Sequence, residues 1–199
     1  QGRRFFFAYT NGSGAMLCSN AMFAQRTIMP PWSALNRDTS YSFTLRHEWK
    51  LSGGWEQFNQ FTSPPGSGEG VLIGIACHRQ NLESDDTVLI GGSPSGTMWG
   101  VTADASLLFD GASFFVSGVY HRIKDMELNG SLLDIDWYGV VAQGSTYVTN
   151  STEFYSRFEA GGSSDNLGGD PLQLLTFGVN PYLDGQDMKL SADVGFSFG

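Results

Sequence analysis

Hydrophobic and polar residues alternate along most of this chain, in segments of about ten residues that are separated by turn signals. The last segment shows the pattern most clearly. One side of it carries Met188, Leu190, Ala192, Val194, Phe196 and Phe198, and the other carries Lys189, Ser191, Asp193, Gly195 and Ser197. Because strand side chains alternate between two faces, this segment predicts an amphipathic strand. Its length of about a dozen residues suits a strand that crosses a membrane, which needs roughly 9–11 residues.

Segments of this kind recur from the start of the chain to its end. They cover 4–10, 20–29, 41–51, 70–80, 99–109, 113–123, 133–143, 152–160, 172–182 and 187–199. Tight-turn signals stand at Asn11-Gly12, Asp110-Gly111, Thr149-Asn150 and Asp184-Gly185, and by strand parity the last three share one side of the sheet. The pattern predicts an all-β fold of about ten antiparallel strands, without helices, in one segment that covers residues 1–199.

The strand at 41–51 separates an apolar stripe from a charged stripe. Phe43, Leu45, Trp49 and Leu51 fall on one side, while Arg46, Glu48 and Lys50 fall on the other. A barrel wall between lipid and a watery lumen requires this division, and aromatic girdles at strand ends accompany it. The aromatic residues near predicted strand ends are Tyr9, Trp49, Trp99, Phe109, Tyr120, Tyr182 and Phe198. We therefore expect an antiparallel transmembrane β-barrel whose lipid-facing belt includes Val71, Ile73, Leu107, Phe114, Leu190 and Val194.

The charged residues on the opposite side are the candidate lining of a pore. They are Arg46, Glu48, Lys50, Asp104, Asp134, Asp136, Arg157, Glu159, Lys189 and Asp193, with Arg4, Arg26 and Glu153 as further inward positions. Basic and acidic positions interleave, which favours a solvated wall with cross-strand ion pairs over a dedicated anion track. The net charge of −9 argues against a nucleic-acid partner, because phosphate binding needs clustered Lys and Arg.

Residue patterns for catalysis or metal binding are missing from the sequence. The segment at 92–96 reads Gly-Ser-Pro-Ser-Gly and has proline where a nucleophile elbow needs serine. The acidic loops at 85–86 and 164–166 are more typical of solvated turns than of calcium sites. Cys18 and Cys77 lack metal-ligand spacing, and two plain thiols are favoured over a disulfide. We expect no enzyme activity, no cofactor and no metal.

The terminal hairpin at 175–199 resembles the last hairpin of the phosphate-selective porin O and P family. The matching residues are Phe177, Gly178, Val179, Asn180, Tyr182, Asp184, Gly185, Lys189 and Leu190, while Pro181 replaces an aromatic residue and Gly199 follows the terminal aromatic. The segments 99–111 and 49–74 are similar to other parts of that family. The resemblance implies a barrel of roughly sixteen strands, usually a homotrimer in the outer membrane of a Gram-negative-type bacterium. This chain would then be its C-terminal part, and Phe196 and Phe198 would be read by the assembly machinery.

Three functions fit these observations. The first is a porin that passes ions and small hydrophilic solutes by passive diffusion. The second is a small closed outer-membrane barrel with a structural or adhesive role and no open pore. The third is a soluble β-barrel that binds a ligand. The direction in which the apolar residues point separates the third from the others, and channel conductance separates the first from the second.

Overall fold

The structure, a computed structural model, describes residues 2–10, 39–82, 96–128, 131–163, 171–184 and 188–198. The predicted all-β, antiparallel architecture is confirmed. The strands are β1 (Arg3–Thr10), β2 (Thr39–Ser52), β3 (Gly70–Leu82), β4 (Gly96–Phe109), β5 (Ala112–Leu128), β6 (Ser131–Thr149), β7 (Thr152–Ser163), β8 (Leu172–Asp184), β9 (Met188–Lys189) and β10 (Ala192–Phe198). The predicted strand at 20–29, Arg26, Cys18 and the acidic loops at 85–86 and 164–166 lie outside the described residues.

The strands form one sheet in chain order, in which each strand pairs antiparallel with the next. The order is β1-β2-β3-β4-β5-β6-β7-β8-β10, and the two-residue β9 also pairs with β8. The sheet is open, with β1 at one edge and β10 at the other. A 3₁₀ helix at Trp55–Asn59 lies between β2 and β3. No helix in the described part of the chain has the length and apolarity needed to cross a membrane.

Connections of different length lie at the two ends of the sheet. One end carries the turns at 110–111 and 150–151, the connection at 53–69 and the link from β8 to β9. We call this the turn end. Gly111 has a φ of 75°, a left-handed conformation that glycine adopts without steric cost, and it lets Phe109 pair directly with Ala112. The other end receives the chain from 11–38, 83–95, 129–130 and 164–171, and we call it the loop end.

Strand register gives the sheet an apolar face and a polar face. From β2 to β10 one row of directly paired residues is apolar at every position: Trp49, Ile73, Ala105, Val116, Ala142, Phe158, Leu175 and Phe196. The adjacent row, on the opposite face, contains Glu48, Gly74, Asp104, Ser117, Val141, Glu159, Leu174 and Ser197. Because paired residues share a face and neighbours in a strand alternate, the two rows belong to opposite faces.

Burial is the reverse of that in a water-soluble sandwich. Many large hydrophobic side chains of the apolar face are exposed, among them Phe7 at 69%, Ile75 at 48% and Phe196 at 50%. Within the described residues, Ile123 is the one large side chain that is fully buried, and it packs with Met98 and Trp137 in a small cluster. The described part of the sheet therefore has little interior of its own, and most of its hydrophobic area points outward.

Three details differ from the sequence-based expectations. In β6 the apolar residues Ile135 and Trp137 point to the polar face, because they join the cluster around Ile123, so Tyr138 and Val140 point outward instead. The predicted single terminal strand is divided, since Leu190 and Ser191 interrupt it between β9 and β10. Tyr182 is not an outward girdle residue: it is buried, and its hydroxyl donates a hydrogen bond to Glu153.

Candidate functional site

An ion-pair network lies on the polar face where β2, β3 and β4 meet. The guanidinium of Arg46 binds the carboxylate of Asp104 through two nitrogens, at 2.6 and 3.0 Å, and its Nε donates to Glu48 at 2.8 Å. Arg46 reaches Asp104 by crossing Gly74, where a Cβ atom would collide with both side chains. One cation thus holds two carboxylates, and the network carries a net negative charge.

Tyr155 repeats this construction at the other side of the sheet. Its ring extends from β7 across Gly178 in β8, and its hydroxyl donates to Asp193 in β10 at 2.8 Å. A Cβ atom at position 178 would occupy the space of the Tyr155 ring. Arg46 and Tyr155 therefore both lie flat along the sheet, and each links three neighbouring strands.

The other predicted lining residues divide between the two faces. Arg157 bonds to Glu159 at 3.0 Å on the polar face, and Lys50 donates to the carbonyl of Gly53. Asp134 and Asp136 were predicted to point inward, but the register pairs Asp136 with Arg122 on the apolar face. Arg122 binds both of these carboxylates at the loop end, with distances of 2.9 and 3.5 Å to Asp134 and Asp136. Because Ile135 packs inward, its neighbours Asp134 and Asp136 lie on the opposite, apolar face of β6.

The connection at 53–69 crosses the polar face at the turn end. Gln57 ties its two ends together by accepting from the amide of Gly54 and donating to the carbonyl of Gly68. Farther along, Phe61 packs edge-on against Phe115 of β5, with ring centroids 4.9 Å apart, and Ser63 donates to the carbonyl of Phe109 at 2.6 Å. The connection therefore follows the sheet surface instead of extending into solvent.

Glu153 holds the far end of this connection against the sheet. The residue is 3% exposed, and its carboxylate accepts hydrogen bonds from Thr62 at 2.8 Å, Asn180 at 2.9 Å and Tyr182 at 2.8 Å. Within the described residues no basic side chain lies within 4.0 Å of it, so neutral donors alone satisfy the buried charge. Such a charge is costly to bury unless its hydrogen bonds are made, which ties the position of Thr62 to β7 and β8.

A cavity of about 290 Å³ lies beside this carboxylate. Its lining consists of Gln60, Phe61, Thr62, Gln143, Glu153, Asn180, Tyr182 and Lys189. The predicted lining residue Lys189 thus lies next to the connection at 53–69, with its ammonium 5.9 Å from the ring centroid of Tyr182. The arrangement can hold water and small polar solutes at the turn end of the polar face.

Sequence reasoning missed the partners of Glu153, because Thr62 is 91 residues away and the sequence indicates only a long connection. One signal was present: the connection carries Trp55, Phe58 and Phe61, and aromatic residues in a loop indicate that it packs against something. The ring of Phe58 fits against Gly70, which has no side chain to exclude it. Among the described residues no cluster of three or more His, Cys, Asp or Glu side chains has metal-binding geometry.

Five of the six predicted lipid-facing residues share one face. Val71, Ile73, Leu107, Phe114 and Val194 lie on the apolar face by register, and Leu190, in the break between β9 and β10, is 57% exposed. Phe196 and Phe198, predicted to form the assembly signal, are exposed on the same face of β10. The thiol of Cys77 is free and exposed there as well.

Comparison with known proteins adds no family to this description. No protein-family model matches the chain, and neither a curated protein nor a solved structure does.

Proposed function

We propose that this chain forms the wall of a β-barrel in a bacterial outer membrane, with lipid against its apolar face. Its polar face would line a water-filled passage for ions and small hydrophilic solutes. One observation carries the proposal: an uninterrupted apolar row, directly paired across β2 to β10, lies back to back with a row that contains Glu48, Asp104 and Glu159. Contiguous apolar surface of this extent is rare on water-soluble monomers and marks an interaction surface.

The position of the connection at 53–69 supports the same interpretation. It covers the polar face and leaves the apolar face bare, although covering the apolar face would remove more hydrophobic area from water. In a membrane this preference is expected, because lipid covers the apolar face and the connection narrows the aqueous side. Short turns and lumen-facing polar residues belong to the same class of barrel.

The charges on the polar face predict weak ion selectivity. The described basic residues there are Arg4, Arg46, Lys50, Arg157 and Lys189, and the acidic ones are Glu48, Asp104, Glu153, Glu159 and Asp193. The two sets balance in number, and several members neutralise each other in ion pairs. A dedicated phosphate track is therefore not part of the proposal, and neither is any enzymatic reaction. The homotrimeric state and the recognition of Phe196 and Phe198 by assembly machinery stay predictions.

Adjacent substitutions in β5 test the membrane assignment. Val116 lies on the apolar face and Ser117 on the polar face beside Asp104. The full-length chain, refolded into phosphatidylcholine vesicles, should float with them in a density gradient. V116R should lose about 2–4 kcal/mol of stability in the vesicle-bound state, the cost of arginine facing the middle of a bilayer, whereas S117R should behave as the unchanged chain. A chain that stays folded in water and does not float, or equal effects of the two variants, would contradict the membrane assignment.

Channel recordings of the vesicle-bound chain separate a pore from a closed barrel. Stepwise ion conductance in a planar bilayer supports the passage. The closed outer-membrane barrel is the second candidate, because the connection at 53–69 and the flat side chains of Arg46 and Tyr155 already fill part of the polar face. An inserted, folded chain without conductance would establish that second function.

A further inference from the structure

At the loop end, the apolar face ends at basic residues on β3 and β5. Along β3 the outward residues Ile73, Ile75 and Cys77 are followed by Arg79. Trp99 of β4 lies directly opposite Arg79, and Arg122 of β5 lies directly opposite Trp99. Arg79 of β3 and Arg122 of β5 therefore mark the end of the apolar face at one level, with the aromatic Trp99 of β4 between them.

Arg122 forms ion pairs at this boundary, whereas Arg79 and Lys124 form none with the described residues, although the charge of Lys124 also acts on Asp134. The Arg122 guanidinium is paired with Asp134 and Asp136. Arg79 and Lys124 are exposed, and within the described residues neither has a carboxylate within 4.0 Å. Two basic side chains thus remain available on the outward side of the sheet.

A local irregularity of β5 lies directly after Lys124. The register between β5 and β6 shifts between Ile123 and Met126, and Asp125 adopts a left-handed φ of 57°. The amide of Asp125 donates to Asp134 at 3.1 Å, which stabilises the bulge. Bulges redirect side chains at sheet ends, and this one directly follows Lys124.

A depression of about 390 Å³ lies between the two cations, lined by Arg79, Thr97, Trp99, Lys124 and Asp125. The Trp99 ring lies 5.4 Å from that of Tyr120, so aromatic surface continues from the depression towards the apolar face. The lining offers two cations against one carboxylate, a hydroxyl and an aromatic wall. These groups suit an anion that is attached to an apolar body.

From this geometry we infer that the depression binds the phosphate of a phosphorylated lipid whose acyl chains lie on the apolar face beside Val101 and Cys77. The inference rests on the proposed membrane location. The whole chain has a net charge of −9, which repels free anions at long range and does not hinder a phosphate that the bilayer already holds at this level. Aromatic residues and Lys or Arg at a membrane boundary are typical anchors to the headgroup layer.

Titration of the full-length chain in maltoside micelles tests the site. The probes are dihexanoyl phosphatidic acid, dihexanoyl phosphatidylcholine and inorganic phosphate, each followed by isothermal titration calorimetry. We expect phosphatidic acid to bind more tightly than the other two. In R79A/K124A its dissociation constant should rise about thirtyfold, since each basic group near a membrane surface contributes about fivefold.

Two controls make the outcome specific. R79K/K124R keeps both charges and should retain affinity within about threefold, as expected for a charge-based contact to phosphate. R3A removes an arginine from the same face at the turn end and should change nothing. Unchanged affinity in R79A/K124A, or equally tight binding of inorganic phosphate, would overturn the lipid site.

Flotation of the unchanged chain with phosphatidylcholine vesicles distinguishes failure of the site from failure of the proposed function. If the chain floats and R79A/K124A binds phosphatidic acid normally, the site is wrong and the membrane assignment stands. If the chain does not float, both are wrong, because the depression would not lie at a bilayer surface.

Discussion

Tyr155 can lie flat across β8 because residue 178 is glycine, and the same relation holds for Arg46 and Gly74. In each case a long polar side chain crosses one strand to reach a carboxylate on the next, Asp193 or Asp104. The two outer strands can therefore form this hydrogen bond only because the middle strand has no side chain at the crossing point. At the residue scale, these glycines allow Tyr155 and Arg46 to bond carboxylates two strands away.

The variant G178A should therefore destabilise the folded chain. The new methyl group would overlap the Tyr155 ring, and overpacking of this kind costs about 1–3 kcal/mol. The comparison is G118A, also within a strand, where the nearest atom to a new Cβ is the Gly139 carbonyl at 4.0 Å. Urea unfolding of the chain in micelles, followed by tryptophan fluorescence, should show a lower midpoint for G178A alone.

A double substitution identifies the cause of that loss. Y155A removes the ring, so G178A should cost much less in a Y155A background if overlap with the ring is the reason. An equal cost in both backgrounds would mean that Gly178 is needed for its backbone and not for the space it leaves.

At the scale of elements, the alternating pattern predicted most strands and their faces but not how connections pack. It assigned β2, β3, β4 and β5 correctly, since each has an apolar face that continues into its neighbours. It failed in β6, where Ile135 and Trp137 fill a local cluster on the inner side, because alternation identifies two sides and not which one points outward. The path of 53–69 depends on contacts with β5 and β7, which no local pattern contains.

The connection at 53–69 should open when its bond to Glu153 is removed. T62V deletes the hydroxyl that bonds the buried carboxylate of Glu153 at 2.8 Å and the hydroxyl of Tyr147 at 3.0 Å, at nearly constant side-chain volume. The bond to the carboxylate alone is worth about 1.5–3 kcal/mol. Chymotrypsin, which cuts after the aromatic residues Trp55, Phe58 and Phe61, should cleave T62V about tenfold faster or more if that bond holds the connection closed. In a conducting chain, single-channel conductance should rise in parallel.

A substitution in the same connection controls for general loosening. Within the described residues the Ser67 hydroxyl makes no side-chain hydrogen bond, so S67A should be cleaved as slowly as the unchanged chain. Equal protection of T62V and S67A would show that the aromatic contacts hold the connection without the bond to Glu153.

At the scale of the whole molecule, the directions of the two edge strands limit how the sheet can close into a barrel. Within the described residues each strand pairs antiparallel with the next and nine strands follow one another from β1 to β10, so the two edge strands run in the same direction. A barrel closed from these strands alone would need a parallel pair at its seam. Transmembrane barrels are otherwise built from antiparallel pairs, with an even strand number in the bacterial single-chain type. Exposed edges such as Phe5 to Phe7 also invite pairing with other strands.

We expect strands of other copies of the chain in the same vesicle to cover both edges, so that β1 and β10 of one chain do not pair with each other. Cysteine pairs test this in a background where Cys18 and Cys77 are serine. F177C with V194C joins residues that are directly opposite in β8 and β10 and should cross-link readily. Val194→Cys combined in turn with Phe5→Cys, Phe7→Cys or Tyr9→Cys samples the possible seam registers and should give no cross-link within one vesicle-inserted chain. Cross-linking of any of these pairs at the rate of the β8–β10 control would instead demonstrate a barrel closed by a parallel seam.

A closed barrel of that kind has no place for further strands, so its lumen would be limited to the polar face that Arg46, Tyr155 and the connection at 53–69 already narrow.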